Sequence, residues 1–244
     1  MPRSASPRSD SGLPPQGRPA GLPEAVPLAP AGARHRTGKT AERILVTALD
    51  LFNRRGEPQV STTLIAAELD ISPGNLYYHY PAKDTLVNAL LARYEAELDA
   101  SLARATMAAT VAASAQAGDG GGTDPLGQLL GELLTLGWRY RFLFRDLNDL
   151  LARNRVLETR CQAALARQDQ TLRDHVSHRA RRLGQPLPAS AADALACQLG
   201  LVLTYWLCHE YVRDPRHALE PESEASLLAS GQAQLQALLA AHGL

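Results

Sequence analysis

The run Leu69-Asp70-Ile71-Ser72-Pro73-Gly74 constrains this chain more than any other six residues. Upstream of it, Leu64, Ile65 and Leu69 recur at helical spacing, which predicts a short helix from about Thr62 to Leu69. Downstream, Ser72 is suited to cap a helix. Pro73 suits the first helical position, where a missing backbone N–H is no loss. A third helix is therefore expected over about 73–80. Two short helices joined by so short a turn have the helix-turn-helix layout.

The flanks extend this reading. Ala41, Ile44, Leu45, Ala48 and Phe52 form a helical stripe that predicts a first helix, with Thr40 as its cap, Gly56 as its stop and Pro58 beyond it. A long fourth helix starts near Ala82 and carries Leu86, Leu90, Tyr94, Leu98 and Leu102. Residues 117–125 are glycine-rich, but no strand precedes them and no Gly-Lys-Ser/Thr follows, so they read as a linker and not as a phosphate cradle. Helical patterns continue at about 126–144, 146–154, 156–184, 189–213 and 222–241, and no segment alternates with period two. The expected fold is all-α: an arm without fixed structure at 1–36, a helix-turn-helix domain at 37–84, and a larger helical domain for ligand sensing and dimerisation at 85–244.

Charge and composition narrow the function. Lys plus Arg equals Asp plus Glu, 25 against 25, so the molecule as a whole does not attract polyanions and a nucleic-acid surface has to be a local patch. The one basic cluster near the motif is Arg34, Arg36, Lys39 and Arg43 against Glu42, an excess of three positive charges. Residues 1–36 hold eight of the sixteen prolines and no apolar periodicity, a composition that does not offset its ordering entropy. The segment reads either as a basic arm against DNA phosphates or as a solvated tail. Cys161, Cys197 and Cys208 are odd in number and lack C-x-x-C spacing, which points to free thiols in a reducing compartment. No apolar run reaches the roughly 18 residues that span a bilayer, so no membrane is expected and the location is read as cytoplasmic.

Residues 40–90 resemble the TetR/AcrR family of bacterial regulators. The resemblance rests on Ala48-Leu49-Asp50-Leu51-Phe52, Gly56, Ser61-Thr62-Thr63-Leu64-Ile65-Ala66, Ile71-Ser72-Pro73-Gly74-Asn75-Leu76-Tyr77-Tyr78-His79-Tyr80 and Lys83-Asp84-Thr85-Leu86. One position departs: Asp70 stands where the family usually has glycine, at a turn that calls for positive φ, and Asp tolerates this better than most residues. A narrower resemblance, to regulators of polyhydroxyalkanoate synthesis of the PhaD type, is carried by Asn53 to Thr62, by the third helix, and by Tyr140-Arg141-Phe142-Leu143-Phe144-Arg145-Asp146-Leu147.

The family resemblance implies a homodimer that lays its third helix in the major groove of double-stranded operator DNA. Leu76 and Tyr80, one turn apart, should pack inward and leave Tyr78 and His79 outward. A phenol reaches a phosphate at low entropy cost, and Gly74 allows close approach of the backbone. The expected DNA contacts are Arg36, Lys39, Thr62, Thr63, Ser72, Gly74, Asn75, Tyr77, Tyr78, His79 and Lys83. Thr63 is expected at a base and Lys83 at a phosphate. Thr62 also reads as a helix cap, Tyr77 as a packing residue, and Arg54 and Arg55 as solvated charges.

The C-terminal half carries no catalytic constellation, and no cofactor is expected. His175 and His178, with Asp174 or Asp193, would make a poor metal site beside Arg179, Arg181 and Arg182. Helix 189–213 is apolar nearly all round, with one stripe at Leu195, Leu199, Val202 and Trp206 and another at Cys197, Leu201, Tyr205, Cys208 and Val212. Leu199, Val202, Trp206, Leu235 and Leu238 are expected at a four-helix dimer interface. Trp138, Tyr140, Arg141, Phe142, Phe144 and Asn148 are expected to line an effector pocket, with the arginine at its mouth suiting a fatty acyl thioester. The reading is a ligand-responsive repressor. An activator of polyhydroxyalkanoate or fatty-acid genes is the alternative, and an enzyme acting on acyl thioesters the reading from another class.

Overall fold

The computed structural model describes the backbone of residues 31–114 and 124–244, and side chains from residue 38 to 111 and from 124 onward. Among these residues it holds ten α-helices, two 3₁₀ turns and no strand: α1 (Ala31–Arg55), α2 (Thr62–Glu68), α3 (Pro73–His79), α4 (Lys83–Ser114), α5 (Pro125–Arg139), α6 (Arg141–Arg145), α7 (Leu147–Arg153), α8 (Arg155–Arg182), α9 (Ala189–Arg213) and α10 (Glu224–Ala241). The all-α expectation holds. Helices α1 to α3 form a head. Its core joins Ile44, Leu51 and Phe52 to Ile65 and Leu76, and to Leu86 and Leu90 at the start of α4. The 32-residue α4 then runs into the body, where it packs on α5 and α8.

Local chemistry at the turn follows the sequence. Ser61 caps α2 by accepting from Leu64 N at 3.1 Å, and Ser72 caps α3 by accepting from Asn75 N at 3.2 Å, with Pro73 at the first turn. Thr62 is thereby the first residue of α2 and not its cap. Asp70 adopts φ 52°, the one positive φ outside glycine among the described residues. The Ile71 N–H donates to Ala66 O and the Asp70 N–H to Ala67 O, which closes α2 with a Schellman motif.

Three boundaries differ from expectation. α1 begins at Ala31, nine residues before Thr40, so residues 31–36 of the expected arm are helical. Pro30 is the last proline before Pro58, and nothing between them breaks a helix. The expected helix 126–144 is divided at Tyr140, which leaves helical geometry at φ −110°, ψ 34°. The buried Asn53 of α1 fills the break: its Nδ2 donates to Arg139 O at 2.9 Å, and its Oδ1 accepts from Phe142 N at 3.1 Å. Asp124 begins α5, but its carboxylate accepts from Arg179 at 2.5 Å and caps nothing. The glycine-rich segment up to residue 123 lies outside the described residues.

α9 is the one described helix long and apolar enough to cross a membrane by length and composition. It packs against α5, α6, α8 and α10, which accounts for its apolarity.

Asn53 ties head to body through two groups that have no other partner there. Replacing it with Ala leaves both unpaired, so Asn53→Ala should lower the unfolding free energy by about 1–3 kcal/mol. Urea denaturation at constant m-value measures this, and a loss below about 0.5 kcal/mol would show that the bridge carries no stability.

Candidate functional site

The outer surface of α2 and α3 is a plate of hydroxyl and amide groups. Thr63 is exposed, and its hydroxyl lies 2.8 Å from Ser61 Oγ. Thr62 Oγ1 lies 3.1 Å from the Tyr77 hydroxyl, a bond that links the start of α2 to α3. Tyr77 is therefore both half-exposed and a positioning group for Thr62. Leu76 is buried, and Tyr80 turns inward with its hydroxyl donating to Ala41 O at 3.4 Å. Tyr78 stands out at 76% exposure, with the half-buried His79 ring edge-on to it at 5.2 Å. Ser72, Gly74 and Asn75 are exposed at the start of α3. A Cβ at Gly74 would meet nothing closer than Ser72 Oγ at 4.0 Å, so the backbone there is open to a large partner.

The basic residues are less uniform. Lys39 and Arg43 are exposed on α1. The side chain of Arg36 lies outside the described residues. Arg54 is paired with Asp50 at 3.1 Å, which agrees with its reading as a surface charge.

Lys83 departs from expectation. Its ammonium stands 3.1 Å from Glu57 Oε1 and donates to Glu57 O at 3.1 Å, so much of its donor capacity is turned inward. Glu57 is fully buried. It also pairs with Arg153 of α7, and its backbone N–H donates to Asp146 at 2.9 Å. Sequence reasoning missed this cluster because its members lie 26 to 96 residues apart. Gly56, at φ 88°, is pressed by Arg145, whose Nη2 donates to Phe52 O at 3.0 Å.

The body holds a cavity of ≈ 350 Å³, open to the surface, with walls from α4 to α9 and with Leu165, Leu201 and Tyr205 at its exposed rim. Leu91, Leu133, Leu147 and Leu151 line it, and Tyr94 and Phe144 meet edge to face at 5.8 Å on one side. Of the residues expected to line a pocket, Phe144 does so, and Trp138, Tyr140, Arg141, Phe142 and Asn148 do not line this cavity. Phe142 is buried against Phe52, 5.3 Å between ring centroids. Arg141 is buried, stacks 4.4 Å over Trp138 and donates to Leu219 O at 3.0 Å, far from any mouth. Asn148 faces outward.

The expected interface needs a similar correction. Leu199, Trp206 and Leu235 are buried within one subunit, with Leu199 at 0% exposure, and have no surface to offer a partner. Val202 and Leu238 are half-buried. The outward apolar face of α9 is the other stripe, with Leu201 at 56% and Val212 at 74% exposure and Tyr205 between them. His175 is buried, and desolvation pulls its pKa down, which favours the neutral ring.

Two family models match the chain. One, described as bacterial regulatory proteins of the tetR family, covers residues 44–90, and the other, TetR, described as bacterial transcriptional repressor, covers residues 93–243. Among solved structures, a TetR-family transcriptional regulator from Marinobacter aquaeolei VT8 is 26% identical, with a TM-score of 0.62 over 84% of this chain and 97% of its own. A transcriptional regulator from Aquifex aeolicus VF5 (18% identity, TM-score 0.54, 82% and 99% covered) shares the fold. So does a Saccharomonospora viridis protein solved in complex with choline (20%, 0.57, 82% and 96%). With matches that span both the head and the body, this chain belongs to the TetR family of bacterial transcriptional regulators.

Proposed function

We propose that the protein is a ligand-responsive repressor that binds a palindromic operator as a homodimer, with α3 in the major groove. The observation that carries this reading is the plate of exposed Thr63, Asn75, Tyr77 and Tyr78, held at a fixed angle by the Schellman turn at Asp70 and the Thr62–Tyr77 bond. Tyr78 and His79 fit phosphates, and Thr63 with the exposed edge of α3 fits base edges. Lys39 and Arg43 on α1 supply local positive charge to a chain with none in total. Repression is favoured because the family model over residues 93–243 is described as that of a repressor. The same docking would serve an activator of polyhydroxyalkanoate or fatty-acid genes if the operator lay upstream of a promoter.

The cavity is the proposed effector site. Leu147 and Leu151 line it from α7, and Arg153 of the same helix holds Glu57 at the base of the head. An effector that moves α7 therefore pulls on the residue that follows α1, which is a route from cavity to DNA surface. A fatty acyl thioester loses its support, since Arg141 is spent on Leu219 and Trp138. The dimer surface is the outward face of α9, where Leu201 and Tyr205 also border the mouth of the cavity and Val212 lies beyond it.

Two measurements test this reading. A phosphate contact carries no sequence information, so Tyr78→Phe should weaken operator and scrambled duplex alike, by about 0.5–1.5 kcal/mol per half-site. Thr63→Ala should cost ~1–3 kcal/mol on operator and less on scrambled DNA. Anisotropy titrations of both variants across a salt series read these effects, and wild-type affinity in both variants would overturn the docking. For the dimer, the double variant Leu201→Glu, Val212→Glu places two unpaired charges on the outward face of α9. It should sediment as a folded monomer and lose operator affinity, and a stable dimer at micromolar concentration would locate the interface elsewhere.

A further inference from the structure

The cavity has a polarity that bears on what it holds. Among the described residues that line it there is no Lys, Arg or His, but there are two carboxylates, Glu158 and Asp169. Glu158 is neutralised by Arg155, 2.5 Å away on the outer face of α8. Asp169 differs: among the described residues no hydrogen bond or ion pair holds it. Arg173, one turn along α8, is directed to Asp193 at 3.8 Å and to Gln170 at 3.0 Å, and acts on Asp169 only at longer range.

The carboxylate lies against α9. A Cβ on Gly200 would come within 2.9 Å of Asp169 Oδ1, so glycine at that point of α9 leaves room for the group in its present position at the cavity wall. Partial burial raises the Asp169 pKa, with Arg173 as the smaller opposing influence, as expected of a carboxylate whose charge the surrounding side chains do not fully offset. The rest of the lining is mostly apolar, led by its leucines, with the uncharged polar groups of Gln162, Gln168 and Thr204 and the rings of Tyr94, Phe144 and Tyr205, whose faces attract cations.

We infer that the effector is a small apolar molecule bearing one cationic nitrogen, with that nitrogen at Asp169 and its apolar body among the leucines. This rests on the reading of the cavity as the effector site and adds the chemical class. The apolar surroundings make an ion pair at Asp169 stronger than one in water and leave an anionic ligand without a partner.

The test uses the full-length protein and three probes that share one chain and differ in head-group charge: heptylammonium, 1-heptanol and heptanoate at pH 7. Calorimetric titration should show heptylammonium bound at least tenfold more tightly than heptanol, with no measurable binding of heptanoate. Asp169→Asn, which keeps the shape and removes the charge, should abolish that tenfold preference and leave heptanol binding and the melting temperature unchanged. Heptanoate binding as tightly as heptylammonium, no binding of heptylammonium, or an intact preference in Asp169→Asn would each overturn the inference. Operator binding by the unliganded protein, and its loss on adding heptylammonium, are followed in parallel. Tight heptylammonium binding that leaves the operator complex intact would fail the effector reading while leaving the cation site standing. Failure to bind operator at all would fail the regulator reading alone.

Discussion

The buried carboxylate of Glu57 is the interaction on which the arrangement of head and body depends. A charge with no access to water is tolerated only when counter-ions come to it, and removing one partner from such a group costs about 3–5 kcal/mol. The partners are Lys83 from the first turn of α4 and Arg153 from α7, while the backbone N–H of Glu57 itself is held by Asp146. Around this cluster, Asn53 bridges the interrupted helix at Tyr140, and Arg145 reaches back to the last turn of α1. Directional polar contacts thereby add to the apolar packing of Phe52 on Phe142 in setting the angle of the head. Polar contacts of this kind have discrete alternatives, whereas a continuous apolar interface deforms at greater cost.

That choice suits a molecule whose two ends have different demands. The DNA-facing plate works by rigidity, since side chains that read base edges have to arrive in a fixed register. Its stiffness is local: two serine caps, a proline start and a left-handed aspartate. The cavity, in contrast, sits where six helices meet: α4, α8 and α9 run past it, while α5, α6 and α7 follow one another through short breaks.

The local features were legible in the sequence, and the long-range ones were not. Ser72, Pro73 and Asp70 act on neighbours within five residues, and their roles could be read from spacing. The first helix was placed correctly at its C-terminal end, where Gly56 gives a signal, and too late at its start, where Thr40 resembled a cap but no breaker lay behind it. Periodicity showed α9 to be apolar on two faces. It could not say which faced inward, because Leu199 and Trp206 differ from Leu201 and Tyr205 only in what other helices bring to them. Family resemblance and position near a helix start point Lys83 to DNA, and charge points Arg141 to a ligand. Their partners within the protein, Glu57 for Lys83 and Leu219 and Trp138 for Arg141, are set by tertiary contact. Asp169 carried no local signal, since a lone acid on an amphipathic helix looks like any solvated residue.

The Glu57 cluster has a consequence for how such proteins diversify. The head and the sensor body look separable, and grafting one head onto another body is an obvious route to new regulators. Yet the carboxylate travels with the head, while Arg153 and Asp146 stay behind with the body. A transplanted head would bring the Glu57 carboxylate with Lys83 as its one counter-ion, short of the second charge that Arg153 supplies, unless the recipient already had one there. The end of the helix-turn-helix domain is therefore not a free boundary, and a working chimera has to supply the place of Asp146 and Arg153 together with the part that reads DNA.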